Sequence, residues 1–403
     1  MNNKSQNHII RKSILQIMVA VLLSSGVAVH AAPVYYSNDF PLLKTVKAYL
    51  KHDYVEKDLE DTELEYGAIR GMLDSLDDPY TRFMAPKNYK EMQVRMSGEF
   101  FGIGIHIGMR DKTLTVISPI VGTPAYRAGL QSLDSIMLID GESTKGMSLA
   151  EAVNRIRGKR GTKVVLGIGR KGEAKVFDVP IVRGRIKLNS VDKVELLRNR
   201  VGYIKLITFE SHNTTRDIEI AIRDLTAKKM AGLIVDLRYN GGGLLRNAIE
   251  IASIFLKEGE VVHTVGRDGK MKTERVSGRA IYTDQPVVIL LNEGSASASE
   301  ILAGAIQDNK RGLVVGRNSF GKASVQKVLK LPDGSAVLYT IAKYFTPAGT
   351  DITKKGIKVD FDVPVPTANI KVMQKPGYIY TFDSDIQLQK AIEVVLKEIG
   401  SKG

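Results

Sequence analysis

The sequence predicts a multi-domain α/β protein, and three observations predict it. A chain of 403 residues with 43% hydrophobic and 25% charged side chains can bury two or three cores. From Ser97 to about residue 183, short runs of alternating polarity follow one another with one substantial helical stretch. Past Arg185 the order becomes strand, helix, strand, with continuous apolar runs that suit parallel strands covered on both faces. Composition narrows the chemistry. Zero Cys removes disulfides, thiolate metal sites and thiol nucleophiles together. No Trp and only 6% aromatics leave few platforms for stacking bases.

Residues 1–31 have the layout of a signal peptide. Lys4, Arg11 and Lys12 precede the apolar run Ile14 to Leu23, and small residues flank a cut after Ala31 or Ala32. Ser13 to His30 is 18 residues without a formal charge, so an uncleaved anchor is the alternative, at the lower length limit for a membrane span. Cleavage would remove three cations and lower the net charge from +14 to 55 − 44 = +11. The expected location is outside the cytoplasm, in the periplasm or on the outer side of the cell envelope, with membrane association if the segment stays. An exported chain meets little nucleic acid, so the basic balance reads as solvated surface or closeness to anionic lipid.

Residues 33–92 carry apolar side chains at helical spacing, among them Leu42, Leu43, Val46, Tyr49 and Leu50, and then Leu64, Ile69, Met72 and Leu76. Asp77-Asp78-Pro79 closes this helical region. Residues 93–183 supply strands at Leu114 to Ser118, Ile136 to Ile139, Val164 to Ile168 and Val176 to Val179. Helices are expected at Pro124 to Ala128 and Leu149 to Arg157. In residues 184–370, strands are expected at Val201 to Leu206, Gly232 to Leu237, Val287 to Leu291 and Leu313 to Val315. The helices between them are Thr214 to Thr226, Leu244 to Phe255 and Ala298 to Gln307, and Asp333-Gly334 turns a hairpin. Residues 371–403 end in an amphipathic helix, Ser384 to Ile399, with Leu388, Ile392 and Leu396 on one side.

Chemistry concentrates where buried strands enter helices. Small residues surround Ser297 in Gly294-Ser295-Ala296-Ser297-Ala298-Ser299-Glu300, so the chain can turn sharply and hold the hydroxyl at a helix N-terminus, beside the Ala298 N–H. The same residues make a good capping box, which local sequence alone favours, and the two roles are not exclusive. A nucleophilic serine needs a base. Of six His, two lie in the export segment, and no neighbourhood singles out His52, His106, His212 or His263. No His-Glu-x-x-His pair offers zinc ligands. Lysine remains: Lys322, set among small and apolar residues in Ser319-Phe320-Gly321-Lys322-Ala323-Ser324-Val325-Gln326, is where desolvation could free an amine lone pair. Gly241-Gly242-Gly243, after Asp236-Leu237-Arg238, could bring further backbone N–H groups to the site. Ordinary turn glycines are the alternative there, and neither dinucleotide nor P-loop spacing is matched.

These residues together resemble the C-terminal processing peptidases, also called tail-specific proteases, exported serine endopeptidases with a PDZ domain. The resemblance runs from about Ala68 to Ile399. It implies Ser297 as nucleophile, Lys322 as general base 25 residues on, Gln326 orienting its amine, and Gly243 and Ala298 as oxyanion N–H donors. Glu300 and Asp308 take supporting places, Asp308 at a helix end. Residues 97–183 resemble the PDZ domain, with Phe100, Phe101, Gly102, Ile103 and Gly104 as its carboxylate-binding loop and Arg157 as a candidate link to the protease. The resemblance further implies a ClpP/crotonase-like protease core, no metal or organic cofactor, and protein substrates with unstructured C-terminal tails. An adaptor or activating protein and a homodimer through terminal helices come only by analogy. The family has proline where this chain has Gly241, which points to a looser turn and keeps a rival in view, a noncatalytic peptide-binding scaffold on an inert protease-like body.

Overall fold

The computed structural model describes residues 40–282, 284–366 and 381–401, so the export segment lies outside the described residues. The chain divides into two compact units, one formed by residues 94–188 and the other by the chain on either side of it.

Before the first unit come α1 (Pro41–Asp53), α2 (Asp61–Asp74), the short strand β1 (Arg82–Met84) and α3 (Pro86–Ser97). Helical spacing marks α1 and α2 correctly, but α1 buries none of its residues. The strand β1 departs from the all-helical expectation. Three residues show too little alternation to read from sequence, and the strand exists because distant residues pair with it.

The unit of residues 94–188 contains β2 (Glu99–Gly102), β3 (Ile105–Arg110), β4 (Thr113–Pro119), α4 (Pro124–Arg127), β5 (Ser135–Ile139), β6 (Glu142–Ser143), α5 (Leu149–Ile156), β7 (Lys163–Gly169), β8 (Phe177–Val182) and β9 (Gly184–Lys187). Its antiparallel sheet has the order β3-β4-β5-β7-β8, which leaves β3 on an edge. Alternate residues Val164, Leu166 and Ile168 of β7 point into a core shared with Val116, Ile136 and Ile139. Ser148 starts α5 by accepting the Glu151 N–H at 3.2 Å, and the helix turns Ala152 and Ile156 inward. The unit extends five residues beyond residue 183 because β9 pairs with β2.

The larger unit continues with β10 (Val191–Leu196), β11 (Val201–Leu206), α6 (Thr214–Ala227), β12 (Gly232–Asp236), α7 (Leu245–Phe255), β13 (Glu260–Gly266), β14 (Met271–Arg275), β15 (Val287–Leu291), α8 (Ala298–Asp308), β16 (Leu313–Gly316), β17 (Ser324–Lys330), β18 (Ala336–Phe345), β19 (Phe361–Asp362) and α9 (Ile386–Ser401). The first sheet has the order β10-β11-β12-β15-β16-β19 and is parallel except for β10. Val287, Ile289 and Leu291 of β15 face one core, built with α6, α7 and α8. Val288 and Leu290 face the other, where Leu388, Ala391, Val394 and Val395 of α9 cover the sheet. Burial on both faces is why these strands read as unbroken apolar runs. The second sheet is antiparallel, with β18 pairing β17 along one edge and β1 and β13 along the other. The strands β10, β13, β14 and β19 were not expected. Every residue of β14 is exposed, so its sequence carries no apolar alternation to find.

Candidate active site

The chain leaves β15, turns through residues 292–297 and enters α8 at Ser297, which has φ 57° and ψ −116°. This is a conformation that a side chain adopts only when its surroundings hold it there. They do so here. The Asn292 carboxamide oxygen accepts the Tyr239 and Gly294 N–H groups at 2.8 and 3.1 Å, and the Ser295 hydroxyl donates to the Leu237 carbonyl at 2.9 Å. Ala296 and Ala298 are fully buried on either side, so no larger side chain fits.

Glu300, one turn into α8 and fully buried, organises what surrounds it. One carboxylate oxygen accepts the Ser297 N–H at 2.7 Å and the Lys322 N–H at 3.0 Å. The other accepts the Gly321 N–H at 2.7 Å and the Ser319 hydroxyl at 2.6 Å. The bond to Ser297 is one half of a capping box, so the cap expected from sequence is present, and the same carboxylate also draws in the segment carrying Lys322. Tyr344 closes the arrangement, with its hydroxyl donating to the Lys322 carbonyl and lying 3.3 Å from the Ser297 carbonyl. Burial pushes the Glu300 carboxyl up to about 7, against the four donors that favour its charged form.

Lys322 is 1% exposed. Burial, helped by the nearby Arg82 charge, lowers its ammonium to about 8, while Glu300, Asp78 and Glu210 pull the other way. Its Nζ lies 4.7 Å from the centroid of the Tyr80 ring. No hydrogen bond joins the Lys322 amine to the Ser297 hydroxyl among the described residues; the backbone amides that share a Glu300 oxygen bring the two residues together. Gln326 makes no hydrogen bond to the Lys322 amine. It sits in β17, and its amide nitrogen donates to the Ser324 and Thr340 hydroxyls at 2.8 and 3.2 Å, while its buried Oε1 has no partner among the described residues.

The glycine turn lies against Ser297. A Cβ on Gly242 would stand 2.6 Å from the Ala296 carbonyl oxygen and 2.8 Å from both the Ala298 nitrogen and the Ser297 Cβ. Gly242, part of the expected glycine run but given no oxyanion role there, is therefore the glycine in contact with Ser297. Gly243, at φ +151°, backs onto Phe209, where an added Cβ would meet the carbonyl carbon at 2.2 Å. The turn is not loose, contrary to the expectation drawn from Gly241. Asn240 accepts the Gly242 N–H at 2.9 Å, donates to the Leu206 carbonyl at 2.8 Å, and its carbonyl accepts from Ala296 N and the Ser299 hydroxyl. The Gly242 carbonyl in turn accepts the Phe209 N–H at 2.9 Å. Among the described residues, neither the Gly243 nor the Ala298 N–H donates to an acceptor.

The remaining candidates fall elsewhere. Asp308 ends α8 at the opposite end from Ser297, about 16 Å away along the axis, and accepts the Ala348 N–H at 2.8 Å. In the unit of residues 94–188, Phe100, Phe101 and Gly102 belong to β2 and pair with Ile186, Arg185 and Gly184. Ile103 and Gly104 follow, and neither N–H has an acceptor among the described residues, so the unbonded part of the loop is shorter than expected. The Arg157 guanidinium lies 4.9 Å over the Phe100 ring. Sequence reasoning also missed Asp78, Tyr80, Thr340 and Tyr344. The run Asp77-Asp78-Pro79 gave a signal, but it read as the end of a helix because nothing local shows that β18 packs against it.

Similarity to known proteins extends along most of the chain. A model of peptidase family S41 matches residues 200–363, a PDZ-domain model matches residues 91–169, and a model of the N-terminal domain of the activating protease CtpB matches residues 27–88. The carboxyl-terminal-processing protease of Synechocystis sp. is 40% identical over 352 residues, 86% of this chain and 80% of that one. The carboxy-terminal processing protease CtpA of Bacillus subtilis is 38% identical over 362 residues, 89% of this chain and 77% of that one. Among solved structures, a putative S41 protease from Bacteroides fragilis shares the fold at 16% identity, with a TM-score of 0.51 and coverage of 91% of this chain and 99% of that one. Identity at this level along most of both chains, with the order of a PDZ unit before an S41 core, places the chain in the carboxyl-terminal processing protease family, serine-type peptidases of family S41.

Proposed function

We propose that the protein is an exported endopeptidase that binds unstructured C-terminal tails and cleaves them with Ser297 as nucleophile and Lys322 as general base. One observation carries this reading: the two residues hang from the same oxygen of buried Glu300, with Lys322 out of water and its ammonium lowered to about 8. At pH 7 such an amine is neutral in about a tenth of molecules, several hundred times more than an ordinary lysine. The neutral amine takes the Ser297 hydroxyl proton as the oxygen attacks the scissile carbonyl. The Gly243 and Ala298 N–H groups, both without acceptors among the described residues, receive the negative charge on the tetrahedral oxygen. The protonated Lys322 passes its proton to the leaving amine, and water, deprotonated in the same way, releases the acyl-enzyme. A dyad that is not yet hydrogen-bonded is usual before substrate closes the site.

For tail binding, β3 offers a free sheet edge and the Ile103 and Gly104 N–H groups offer donors for a terminal carboxylate. Export rests on residues 1–31 alone. The noncatalytic scaffold took its weight from a loose turn at Gly241, and the pinned turn withdraws that support. The test is cleavage of an unfolded, tailed substrate followed by mass spectrometry. Ser297→Ala and Lys322→Ala are each expected to lower the rate at least about a thousandfold with the fold intact. Retained cleavage in purified Lys322→Ala overturns the dyad.

A further inference from the structure

The Lys322 amine sits in a wall that the catalytic motifs do not supply. The loop before β1 places the Tyr80 ring 4.7 Å from Nζ, and Asp78, two residues earlier, accepts the Thr340 hydroxyl at 2.6 Å and the Thr81 hydroxyl at 2.7 Å. The Tyr80 N–H holds the other Asp78 oxygen at 3.0 Å. Thr340 stands directly across from Gln326 in the β17–β18 pair. A threonine hydroxyl has one proton. Because that proton goes to Asp78, the Thr340 oxygen can only accept from Gln326, so the Gln326 amide must turn its NH2 toward Thr340 and Ser324. Its Oε1 is left buried and without a partner among the described residues, a costly state unless a donor arrives. Lys322 is such a donor, four residues back along the same segment, and its amine makes no hydrogen bond among the described residues.

We propose that Asp78 and Thr340 are positioning residues: the Asp78–Thr340–Gln326 chain sets the direction of the Gln326 amide, so that its oxygen is the one presented to Lys322 when the amine swings toward Ser297. This rests on the reading of Lys322 as general base. The charges facing Lys322 are Arg82 from β1, Glu300 from α8, Glu210 from the loop after β11, and Asp78 itself.

Asp78→Asn is the sharp test. With its oxygen kept on the Tyr80 N–H, its new NH2 faces Thr340, the threonine proton is released toward Gln326, and the amide is driven to flip. The expected result is a fall in kcat of about tenfold or more, with KM unchanged within about twofold. The acid limb of the kcat/KM profile should move to lower pH, because removing the Asp78 charge makes Lys322 easier to deprotonate. Thr340→Val should lower kcat similarly without that charge effect, and Thr340→Ser should restore it. Asp78→Asn and Thr340→Val that fold and keep kcat within about twofold overturn the proposal, as does Thr340→Ser failing like Thr340→Val. If Asp78→Asn does not fold, the Thr340 pair decides. Ser297→Ala and Lys322→Ala run alongside: cleavage surviving in either condemns the dyad, whereas their inactivity beside a fully active Asp78→Asn condemns the positioning chain alone.

Discussion

Three residues in the site carry a cost in stability. Ser297 holds a strained backbone, at a cost of about 1–3 kcal/mol, Lys322 is buried, and Glu300 is buried with its carboxyl pushed up to about 7. For Lys322 the folded value, about 8, lies below the ordinary 10.5. Between the two the unfolded chain holds the extra proton, so stability rises with pH over that window, and below about 8 the folded state carries the full burden, up to roughly 3 kcal/mol. Lys322→Met, of similar shape without the charge, is therefore expected to raise stability at pH 7 by about 1–2 kcal/mol in urea unfolding while abolishing cleavage. Glu300→Gln should do the opposite. Each Glu300 oxygen accepts two donors, so replacing either by NH2 sets donor against donor, at a cost of about 2–4 kcal/mol and most of the activity. Cleavage by the parent should climb between pH 7 and 9 as Lys322 loses its proton, read from kcat/KM.

Elements bring these residues together through turns and a terminal helix. Gly242→Ala would force its Cβ against backbone of residues 296–298 and demand a left-handed φ of +93° from alanine. We expect loss of cleavage with only a modest fall in melting temperature, since the sheet beneath is untouched. The strand β12 ends in Asp236, and the guanidinium of Arg238 just after it pairs with Asp385, the residue that leads into α9, at 2.7 Å as well as with Asp236. Lys205 joins the same cluster at 3.0 Å from Asp236. The cluster fixes α9 on the sheet immediately below the glycine turn. Asp385→Ala should leave Arg238 buried with one partner fewer and lower stability by about 2–3 kcal/mol, measured by denaturant unfolding.

At the scale of the molecule, the unit of residues 94–188 has its own closed core, so expressed alone it is expected to unfold cooperatively and to bind a peptide with a free C-terminal carboxylate but not its amide. Binding that ignores the carboxylate would refute the assignment of the Ile103–Gly104 donors. Much of this organisation was legible beforehand. Runs such as Val287 to Leu291 reported burial on both faces, helical spacing reported α6 to α9, and the small residues around Ser297 reported a sharp turn, because each is a local steric or periodic requirement. By itself the sequence determined which residues could be a nucleophile, a desolvated base and a glycine turn, and in what order the two units follow. Only the tertiary structure decided that one oxygen of Glu300 would hold both Ser297 and Lys322, that Gly242 would be the glycine against the serine, and that Asp78 would cross more than 260 residues to reach Thr340. Those contacts join segments far apart in the chain, and a pairing that depends on how sheets and loops pack leaves no periodicity in either partner's own sequence.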